Sequence, residues 1–428
     1  MLDIKFIREN PEKVKEGIRK KGFEINIEPI LILDKKRREL IASLEKLLFQ
    51  KNTASKKISI LKDSEEKRKI ILDMKELDKD SDRLKKELKE VEERLKELML
   101  QVPNLPFEDV PIGKDERENV VLRKVGRVPK FNFKIRDYLE IAENLDLIDV
   151  QRAAKISGSR FGFLKNELVL MEFALIKLTF DFLVKQGFIP IIPPVLLKRE
   201  IARGTGYYEE KDKEESYFIP QDDFYLVGTS EHSLIAMHSN EIFEEKELPK
   251  RYVGFSTCFR REAGSYGKDT KGILRVHQFD KIEMVSFAKP EDSRKEQQFL
   301  LKMEEKLMQI LKIPYQVVQI CTGDLGRPAA EKYDIEAWMP SENRYRETHS
   351  TSNCTDFQAR RLNIRYRQKS GKLEFVHTLN GTALAIGRIL IMLIENYQQK
   401  NGSLKIPKVL QNYLNFKSIQ RREKCKKK

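Results

Sequence analysis

The sequence predicts an α+β fold in which a two-helix arm precedes a domain of mixed strands and helices. A hydrophobic repeat of alternating three and four residues runs from Ile30 to Leu98. The repeat ends at a stretch that contains Pro103, Pro106 and Pro111. Beyond it, apolar segments with a period of two residues are interspersed with amphipathic helical segments. The first pattern is typical of paired helices, and the second of a domain that combines a sheet with helices.

Composition and charge indicate a polyanionic partner. The chain has 428 residues, of which 35% are charged, and its formal net charge is +15. Average soluble proteins have about 25% charged residues. No basic amphipathic helix stands out, so a nucleic acid is a better match than an anionic membrane surface. At this length the chain can form two or three domains with a sizeable core.

The cysteines and the apolar segments bear on the cellular compartment. Cys258, Cys321, Cys354 and Cys425 are far apart and show no paired spacing, which argues against a disulfide framework and a cysteine zinc cluster. The N-terminal residues lack the apolar centre of a signal peptide, and charges interrupt the most apolar helical segment, 163–184. We therefore expect a cytoplasmic protein in a reducing environment, without a membrane span.

The arm is predicted from two matched heptad segments. The repeat positions run from Ile30 to Leu61 in the first segment and from Ile70 to Leu98 in the second. A polar stretch over 62–65 separates the segments and is short enough for a turn. The pattern predicts an antiparallel two-helix coiled coil that projects by roughly 45 Å or more at 1.5 Å per residue.

Charge near the turn indicates what the arm could bind. Basic side chains outnumber Asp63, Glu65 and Glu66 in this part of the sequence. The basic residues are Lys51, Lys56, Lys57, Lys62, Lys67, Arg68 and Lys69. A basic end on a stiff lever suits phosphate contacts at a distance. The alternative is a dimerisation or spacer element, because a narrow apolar seam commonly serves that purpose.

We place a domain boundary near residue 105, where the heptads stop. A helix is predicted over 163–186 and is closed by Gly187. An apolar strand over 188–192 follows, with the pair Pro193-Pro194 after it. Proline cannot donate a hydrogen bond inside a sheet, so this strand is predicted at a sheet edge or at an interface.

Two strands joined by a glycine-rich, basic loop are predicted over 257–283. Alternation places Phe279, Glu283 and the lysine between them on one face of the second strand, while Arg260 and Glu262 share a face where the first strand ends. A phosphate, an aromatic base and an ammonium group could meet these side chains, and the loop would let backbone approach a ligand. The alternative is a solvated hairpin with a basic tip.

Two further segments carry hydroxyl and carboxylate groups. Thr229 and Glu231 are two residues apart, so both side chains point the same way on an extended segment. In the polar strand predicted over 343–353, Glu347 and Ser350 form a hard-oxygen pair suited to Mg²⁺ that bridges phosphates. The alternatives are a simple helix cap at the first segment and an ordinary surface strand at the second.

The segment 379–388 joins a strand of small residues to an apolar helix over 389–397. Small side chains leave room for a planar ligand, and Arg388 stands where the helix begins. The alternative is a buried helix with one arginine that extends to solvent.

In this order, the segments resemble the three signature motifs of class II aminoacyl-tRNA synthetases. The first motif corresponds to Gly187-Phe188 with Pro193-Pro194, the second to 259–262 with 277–283, and the third to 381–388. Together with the N-terminal arm, they closely resemble the bacterial-type seryl-tRNA synthetase family. The resemblance extends over nearly the whole chain, up to about Leu414.

The resemblance implies a domain organisation and a reaction. It implies a tRNA-binding domain with the arm over 1–105, a catalytic domain over 106–416 with a mainly antiparallel sheet flanked by helices, and a basic, disordered tail over 417–428. It also implies a homodimer formed through the first-motif strand.

The implied reaction uses ATP and Mg²⁺ to convert L-serine to seryl-adenylate, and transfers the seryl group to the 3′ end of tRNA(Ser), with tRNA(Sec) left open as a second acceptor. The arm would bind the tRNA, and neither DNA nor a membrane is an implied partner.

The same resemblance implies residue roles. The catalytic residues would be Arg260, Glu262 and Arg388. The serine-binding residues would be Thr229, Ser230, Glu231, Arg260, Glu283 and Thr382. The ATP-binding residues would be Arg260, Arg261, Glu262, Val276, Phe279, Glu347, Thr348, His349, Ser350 and Arg388, and Mg²⁺ would be held by Glu347 and Ser350.

The sequence departs from the pattern of the family at two places, which involve three residues. The family usually has serine where Thr382 stands, which keeps the hydroxyl and adds a methyl group. It commonly has an aliphatic residue and a serine where Thr348 and His349 stand. His349 is expected to contact ATP through its backbone and not to act as a base.

Two other hypotheses stay open at this point. A sister synthetase for threonine or proline shares the catalytic core but carries a C-terminal anticodon-binding domain, and only about thirty residues follow Tyr397. The threonine enzyme also needs zinc ligands, which the sequence does not offer. A non-catalytic RNA-binding relative would have lost one of the residues Arg260, Glu262, Glu283 and Arg388, and all four are present.

Overall fold

The computed structural model describes residues 1–209, 213–263 and 271–421, which form two compact units. The first unit comprises Met1–Arg19 and Phe23–Pro103. The second comprises Lys20–Gly22 and the chain from Asn104 onward. Most of the predicted glycine-rich loop, over 264–270, and the end of the predicted basic tail, over 422–428, lie outside the described residues. The start of the tail is ordered and not disordered as expected, because Ser418–Ile419 forms a short strand and Ile419 is buried.

Helices in the described part of the chain occur in both units. They are α1 (Ile4–Glu9), α2 (Pro11–Lys20), α3 (Glu28–Ile60), α4 (Ser64–Gln101), α5 (Tyr138–Asn144), α6 (Val150–Ser157), α7 (Glu167–Val184), α8 (Arg199–Gly204), α9 (Glu231–Ala236), α10 (Ser293–Leu311), α11 (Phe357–Leu362) and α12 (Ile386–Asn396). No helix of the described residues is both long and apolar enough to span a bilayer.

Strands in the described part of the chain belong to the second unit. They are β1 (Val120–Val125), β2 (Ile148–Asp149), β3 (Phe163–Leu164), β4 (Ile189–Ile191), β5 (Leu196–Lys198), β6 (Phe218–Ile219), β7 (Phe224–Leu226), β8 (Ile242–Glu244), β9 (Lys250–Phe259), β10 (Gln278–Ala288), β11 (Tyr315–Gln319), β12 (Glu331–Met339), β13 (Arg344–Asn353), β14 (Arg365–Arg367), β15 (Leu373–Phe375), β16 (His377–Ala385), β17 (Leu404–Lys405) and β18 (Ser418–Ile419).

Helices α3 and α4 form the predicted antiparallel two-helix arm. They contain 33 and 38 residues, which corresponds to roughly 50 Å or more of helix at 1.5 Å per residue. Leu44 and Val91 are among the buried residues of the seam. Arg37 pairs with Glu92 at 2.9 Å between the two helices. Asp63 caps α4 by accepting a hydrogen bond from the Glu65 amide at 2.9 Å, which fixes the predicted turn.

The second unit is organised around a mainly antiparallel sheet, as predicted. Within the described residues the sheet has eight strands in the order β1-β11-β12-β13-β16-β10-β9-β4. Strand β4 is parallel to β9, and the other neighbours are antiparallel. Strand β4 lies at one end of this order, which confirms the edge position predicted from the proline pair.

Apolar helices cover the sheet and bury its core. Helix α12 is buried along Ile389–Ile394, and α7 and α10 bury Leu175, Leu300 and Leu307 in the same cluster as Ile282 and Leu384 of the sheet. Each fully buried aliphatic side chain stabilises the fold by roughly 1.5–3 kcal/mol relative to an exposed one. This packing therefore fixes the positions of β10, β13 and β16 in the sheet.

The predicted helix over 163–186 begins later than the sequence pattern indicated. Phe163 and Leu164 form β3, which pairs with β2, and α7 begins at Glu167. The reason is local, because Asn166 adopts a left-handed backbone with φ of 54° and separates the strand from the helix. At the other end Gly187, with φ of 88°, closes the segment as predicted.

Candidate active site

A cavity of about 630 Å³ lies in the second unit, where β10, β12, β13 and β16 meet α9 and the start of α12. It is lined by most of the sequence-predicted residues. These are Thr229, Glu231, Arg260, Glu262, Val276, Phe279, Glu283, Glu347, Thr348, Ser350, Thr382 and Arg388. Segments far apart in sequence therefore contribute to one site.

The floor of the cavity is one face of β10. Phe279, Lys281 and Glu283 alternate along this strand, and all three line the cavity, as their period of two predicted. Lys281 and Glu283 are buried and form an ion pair with 2.5 Å between Nζ and Oε2. Two opposite charges at this distance in a buried place interact strongly, so Glu283 has a fixed partner.

Glu283 is also joined to the neighbouring strand. It lies directly opposite Thr382 in the antiparallel pair of β10 and β16, and the Thr382 hydroxyl donates to Glu283 Oε2 at 3.4 Å. Both side chains are at least 94% buried, since Thr382 is 6% and Glu283 is 2% exposed. The pair therefore presents a carboxylate and a hydroxyl to a small polar ligand.

A second buried carboxylate, Glu231, lies at the beginning of α9. Gln358 Nε2 donates to its Oε1 at 2.9 Å, and the Tyr207 hydroxyl donates to Oε2 at 3.5 Å. Its own amide is tied to the Thr229 hydroxyl at 3.2 Å. Burial, and then the nearby charge of Glu283, raise the pKa of Glu231 to about 7. An incoming cation would favour the ionised form of this group.

The end of β9 places Arg260 and Glu262 at the wall of the cavity. Arg260 Nε donates to the Gly228 carbonyl at 3.2 Å, and its guanidinium lies 5.3 Å from the centre of the Phe279 ring. Glu262 has a positive φ of 53° and pairs with Arg275 at 3.2 Å. The strand therefore ends in a fixed cation next to an aromatic face.

Arg388 and Glu347 close another side of the cavity. Arg388 Nη1 donates to the Glu347 carbonyl at 2.9 Å and lies 3.4 Å from Glu347 Oε1. Desolvation would raise the pKa of Glu347, but the charges of Arg388, Lys332 and Arg260 outweigh it and lower the pKa. Glu347 therefore stays ionised, as a ligand of a divalent cation must be.

A β-bulge brings Glu347 and Ser350 to the same cavity. Residues three apart on a regular strand point to opposite faces. In β13, however, Glu347 pairs with Glu336 and His349 pairs with Ile335, so Thr348 is an extra residue in the strand. The bulge shifts the alternation by one, and Glu347, Thr348 and Ser350 all line the cavity.

The donor set fits a hard divalent cation. Glu347 and Ser350 offer oxygen atoms on one wall, and Asp334 lies opposite Ser350 in the pairing of β12 with β13. Among the described residues there is no group of three or more histidine, cysteine or acidic side chains that could enclose a metal by itself. A few oxygen ligands that share the ion with phosphate and water are the usual mode for Mg²⁺.

Three of the sequence-predicted residues do not line the cavity. Arg261 is exposed, and its amide donates to the Glu215 carbonyl at 2.9 Å. Ser230 is buried and donates to the Gly254 carbonyl at 3.4 Å. His349 is buried beside Thr348 Oγ1, 2.8 Å from Nδ1, and burial lowers its pKa to about 3. A neutral, buried imidazole agrees with the expectation that His349 is not a base.

Several cavity residues were missed by the sequence reasoning. Lys332 lies two residues before Asp334 on β12, on the same face, and its Nζ is 3.4 Å from Asp334 Oδ2. Side chains two apart on a strand share a face, so the spacing of Lys332 and Asp334 could have indicated that they lie together. Tyr207, which lines the cavity, and Gln358, which lies outside the lining but donates to Glu231, come from irregular and short elements, and the sequence carries no periodic signal for them.

Two family models match the chain. One describes the seryl-tRNA synthetase N-terminal domain and matches residues 1–106. The other describes the class II tRNA synthetase core domain for glycine, histidine, proline, serine and threonine, and matches residues 215–397.

Relatives match over the full length. A serine–tRNA ligase from Thermodesulfovibrio yellowstonii is 44% identical over 98% of this chain and 100% of its own, and one from Dictyoglomus turgidum is 45% identical over 98% and 99%. The crystal structure of seryl-tRNA synthetase from Pyrococcus horikoshii complexed with ATP is similar, with a TM-score of 0.92 and 41% identity over 99% of this chain and 100% of that one. A prolyl-tRNA synthetase from Giardia lamblia shares only the fold, with a TM-score of 0.56 and 17% identity over 64% of this chain and 54% of its own.

Proposed function

The chain belongs to the seryl-tRNA synthetase family, and from this membership we propose that its cavity activates L-serine with ATP and passes the seryl group to tRNA(Ser). As a member of the family it is a serine–tRNA ligase with a class II core. The observation that carries the proposed site is the set of groups in one cavity of about 630 Å³: a guanidinium at Arg260, a ring at Phe279 and a carboxylate–hydroxyl pair at Glu283 and Thr382.

In the first step, a serine carboxylate oxygen attacks the α-phosphorus of ATP. An oxygen–phosphorus bond forms, the bond from the α-phosphorus to the bridging oxygen breaks, and pyrophosphate leaves. Both reactants are negative, so the main demand is neutralisation of charge and alignment, and no proton transfer is needed. We assign this to Arg260, whose guanidinium lies at the end of β9 and can bridge the carboxylate and the α-phosphate.

Serine is held by its ammonium and hydroxyl groups. Glu231 and Thr229 would receive the ammonium, and Glu283 with Thr382 would hydrogen-bond the hydroxyl. The 2.5 Å contact with Lys281 supports this role, because it holds Glu283 as an acceptor in a fixed position. Alanine would leave buried groups unpaired, and a site of this kind rejects the analogue that lacks a hydroxyl by roughly 10⁴–10⁵.

We assign ATP to the part of the cavity lined by Phe279, Arg388 and Glu347, beside the proposed serine site. The adenine would lie between the Phe279 ring and the Arg388 guanidinium, with Glu262 at its amino edge, and Arg388 would also approach the γ-phosphate. The site residues Glu347 and Ser350 would hold Mg²⁺, which when bound offsets the charge of the phosphate oxygens. Val276 and Thr348 line the same space.

In the second step, the 3′-hydroxyl oxygen of the tRNA attacks the carbonyl carbon of seryl-adenylate. An ester bond forms, the bond from the carbonyl carbon to the phosphate oxygen breaks, and AMP leaves with the release of the hydroxyl proton. We assign tRNA binding to the arm, which is supported by the lysines and arginine near its turn, over 51–69. Whether tRNA(Sec) is a second acceptor is tested by charging a transcript of that tRNA with serine.

We further propose a cytoplasmic homodimer that uses strand β4. The support is an exposed apolar surface around an edge strand, where Ile192 is 81% and Phe173 of α7 is 64% exposed. Ile189, within β4 itself, is 47% exposed. A charged substitution, Ile192→Asp, should shift the protein from dimer to monomer in analytical ultracentrifugation, and a wild-type monomer would overturn the assignment.

The test of the function is ATP–pyrophosphate exchange with each of the twenty amino acids, followed by charging of tRNA(Ser). We expect exchange with serine and, at a much lower rate, with its analogues. Preferred exchange with threonine or proline would support a sister synthetase, which the 17% identity to the prolyl enzyme does not favour. Binding of tRNA without any exchange would support a non-catalytic relative.

A further inference from the structure

The buried amine of Lys21 is enclosed by main-chain carbonyl groups of the second unit. The residue is 3% exposed, and its Nζ lies 2.8 Å from the Gly326 oxygen, 3.1 Å from that of Arg327 and 2.8 Å from that of Ala329. A further carbonyl, that of Asn104, lies at 3.2 Å. One side chain therefore donates to three carbonyl groups of the same four-residue turn.

Asn104 completes the support of this turn. Its side-chain amide donates to the Pro328 carbonyl at 2.9 Å, and its main-chain amide donates to the Arg327 carbonyl at 3.0 Å. Asn104 is itself 4% exposed. Every carbonyl group from Gly326 to Ala329 thus accepts a hydrogen bond from one of two buried residues.

The same turn is a wall of the candidate active site. Gly326, Pro328 and Ala329 line the cavity together with the proposed substrate-binding residues. The turn connects a short helical segment to β12, and within it the Ala329 amide bonds back to the Gly326 carbonyl at 3.2 Å. Its position relative to the cavity depends on what holds its inner side.

Burying a lysine amine costs free energy of folding unless hydrogen bonds compensate for the lost contact with water. Burial lowers the pKa of Lys21 to about 7; Arg327 adds to this lowering, and Cys354 acts against it. Buried carbonyl groups without donors are also unfavourable, and a turn cannot satisfy them through a strand ladder. The three hydrogens on a long flexible stem allow one residue to reach several carbonyls at once.

We propose that Lys21 is a positioning residue of the active site, which holds the wall formed by Gly326–Ala329 at the distance that the substrates require. The inference rests on the proposed function, because it assigns a role in that same cavity. Lys21 touches no substrate, so its effect passes through the turn. Without the amine, three carbonyls lose a donor, the turn relaxes, and the cavity is no longer preformed.

The test is the variant Lys21→Met in the full chain, which removes the amine and keeps most of the stem. Serine-dependent ATP–pyrophosphate exchange is measured without tRNA, so that only the cavity is probed. A displacement of about 1 Å costs up to about 10²-fold, so we expect kcat/KM to fall about 10- to 100-fold, chiefly through higher KM for serine and ATP. Lys20→Met is the matched control and should behave as wild type.

A second variant keeps the inference testable if Lys21→Met does not fold. Asn104→Ala removes the donor to the Pro328 carbonyl from the other side of the turn, and should raise the same KM values. In the double variant the two effects should be less than additive, because both act on one turn. Leu410→Ala, a core substitution outside the cavity lining, shows what a loss of stability alone does to KM.

Several outcomes would overturn the inference. One is unchanged KM in a folded Lys21→Met protein, and another is a rise in KM equal to that of Leu410→Ala at the same loss of stability. Faster hydrogen exchange of the Ala329 and Ala330 amides in Lys21→Met is the expected independent sign of a relaxed turn. If the wild-type protein shows no serine-dependent exchange, the proposed function fails; the hydrogen-exchange result still decides whether Lys21 holds the turn.

Discussion

The arm of the first unit and the cavity of the second use charge in opposite ways. Lys36 and Glu87 pair between the arm helices with 49% and 40% of their side chains exposed, whereas Lys281 and Glu283 pair with 8% and 2% exposed. Exposed pairs contribute about 0–1 kcal/mol and are screened by salt. Buried pairs interact strongly and are costly to leave unmatched. The comparison teaches that charges of the arm suit a large polyanion, and those of the cavity suit discrimination between small molecules.

The sharpest test of the cavity is Arg260→Ala. Removing one group that stabilises developing negative charge costs about 10²–10³ in rate, so serine-dependent pyrophosphate exchange should fall by at least that factor. Arg123→Ala, which removes an exposed arginine paired with Glu305, is the control and should retain activity. A loss of less than tenfold in Arg260→Ala would contradict the assigned role.

A smaller effect is expected on selectivity from Glu283→Gln. A neutral amide cannot both pair with Lys281 and accept a hydrogen bond from the serine hydroxyl as strongly. Hydrogen bonds to charged groups contribute about 1.5–3 kcal/mol, so the preference for serine over alanine in kcat/KM should fall about 10- to 100-fold. Thr382→Ser keeps the hydroxyl and should stay near wild type. If Glu283→Gln kept the wild-type selectivity, the hydroxyl of the serine substrate would have to bind to a residue other than Glu283.

Removing positive charge near the turn between α3 and α4 should weaken tRNA binding and leave serine activation unchanged. We call this part of the arm, over 51–69, its tip. We expect the variant with Lys56, Lys57, Arg68 and Lys69 changed to glutamine to raise the KM for tRNA(Ser) about tenfold and to weaken the salt dependence of charging. Pyrophosphate exchange should be unchanged. The control changes Lys85, Lys86, Lys89 and Lys96 of α4 to glutamine. Equal effects of both sets would contradict a binding surface at the tip.

A milder effect is expected from pH. Glu231 has a pKa of about 7 in the cavity and would bind the serine ammonium as a carboxylate. Below pH 7 it is largely protonated, so the KM for serine should fall as the pH rises from 6 to 7.5, by at most about tenfold per unit. Glu231→Gln should have a higher KM with little pH dependence. The same slope in that variant would assign the titration to another group.

Much of the fold follows from periodic patterns. The heptad positions around Leu40 and Leu84 predicted the paired helices α3 and α4, and the alternation of Phe279 and Glu283 predicted a shared face of β10. These patterns suffice because a helix or strand face is fixed by local geometry. The start of α7 was predicted too early, since the backbone of Asn166 is left-handed and no pattern of apolar residues reports that.

The site is less accessible from the sequence, because it depends on contacts between distant segments. Glu347 and Ser350 face the same cavity only because of the bulge at Thr348, which strand periodicity does not predict. Lys332 could have been predicted from the alternation of side chains along a strand, whereas no periodic pattern indicates Gln358, which donates to Glu231. Lys21 is 305 residues from Gly326, so only the folded chain reveals that they meet.

The bulge in β13 makes the number of residues between Glu347 and Ser350 matter more than their identity. Thr348 and His349 can differ from an aliphatic residue and a serine without turning Glu347 or Ser350 away from the cavity. Inserting one residue would add a step to the alternation and turn Ser350 to the opposite face of β13, whereas a deletion that removes the bulge would leave the two residues two apart and on the same face. An insertion at this point would thus take one of the two proposed Mg²⁺ ligands out of the cavity while leaving the sheet assembled.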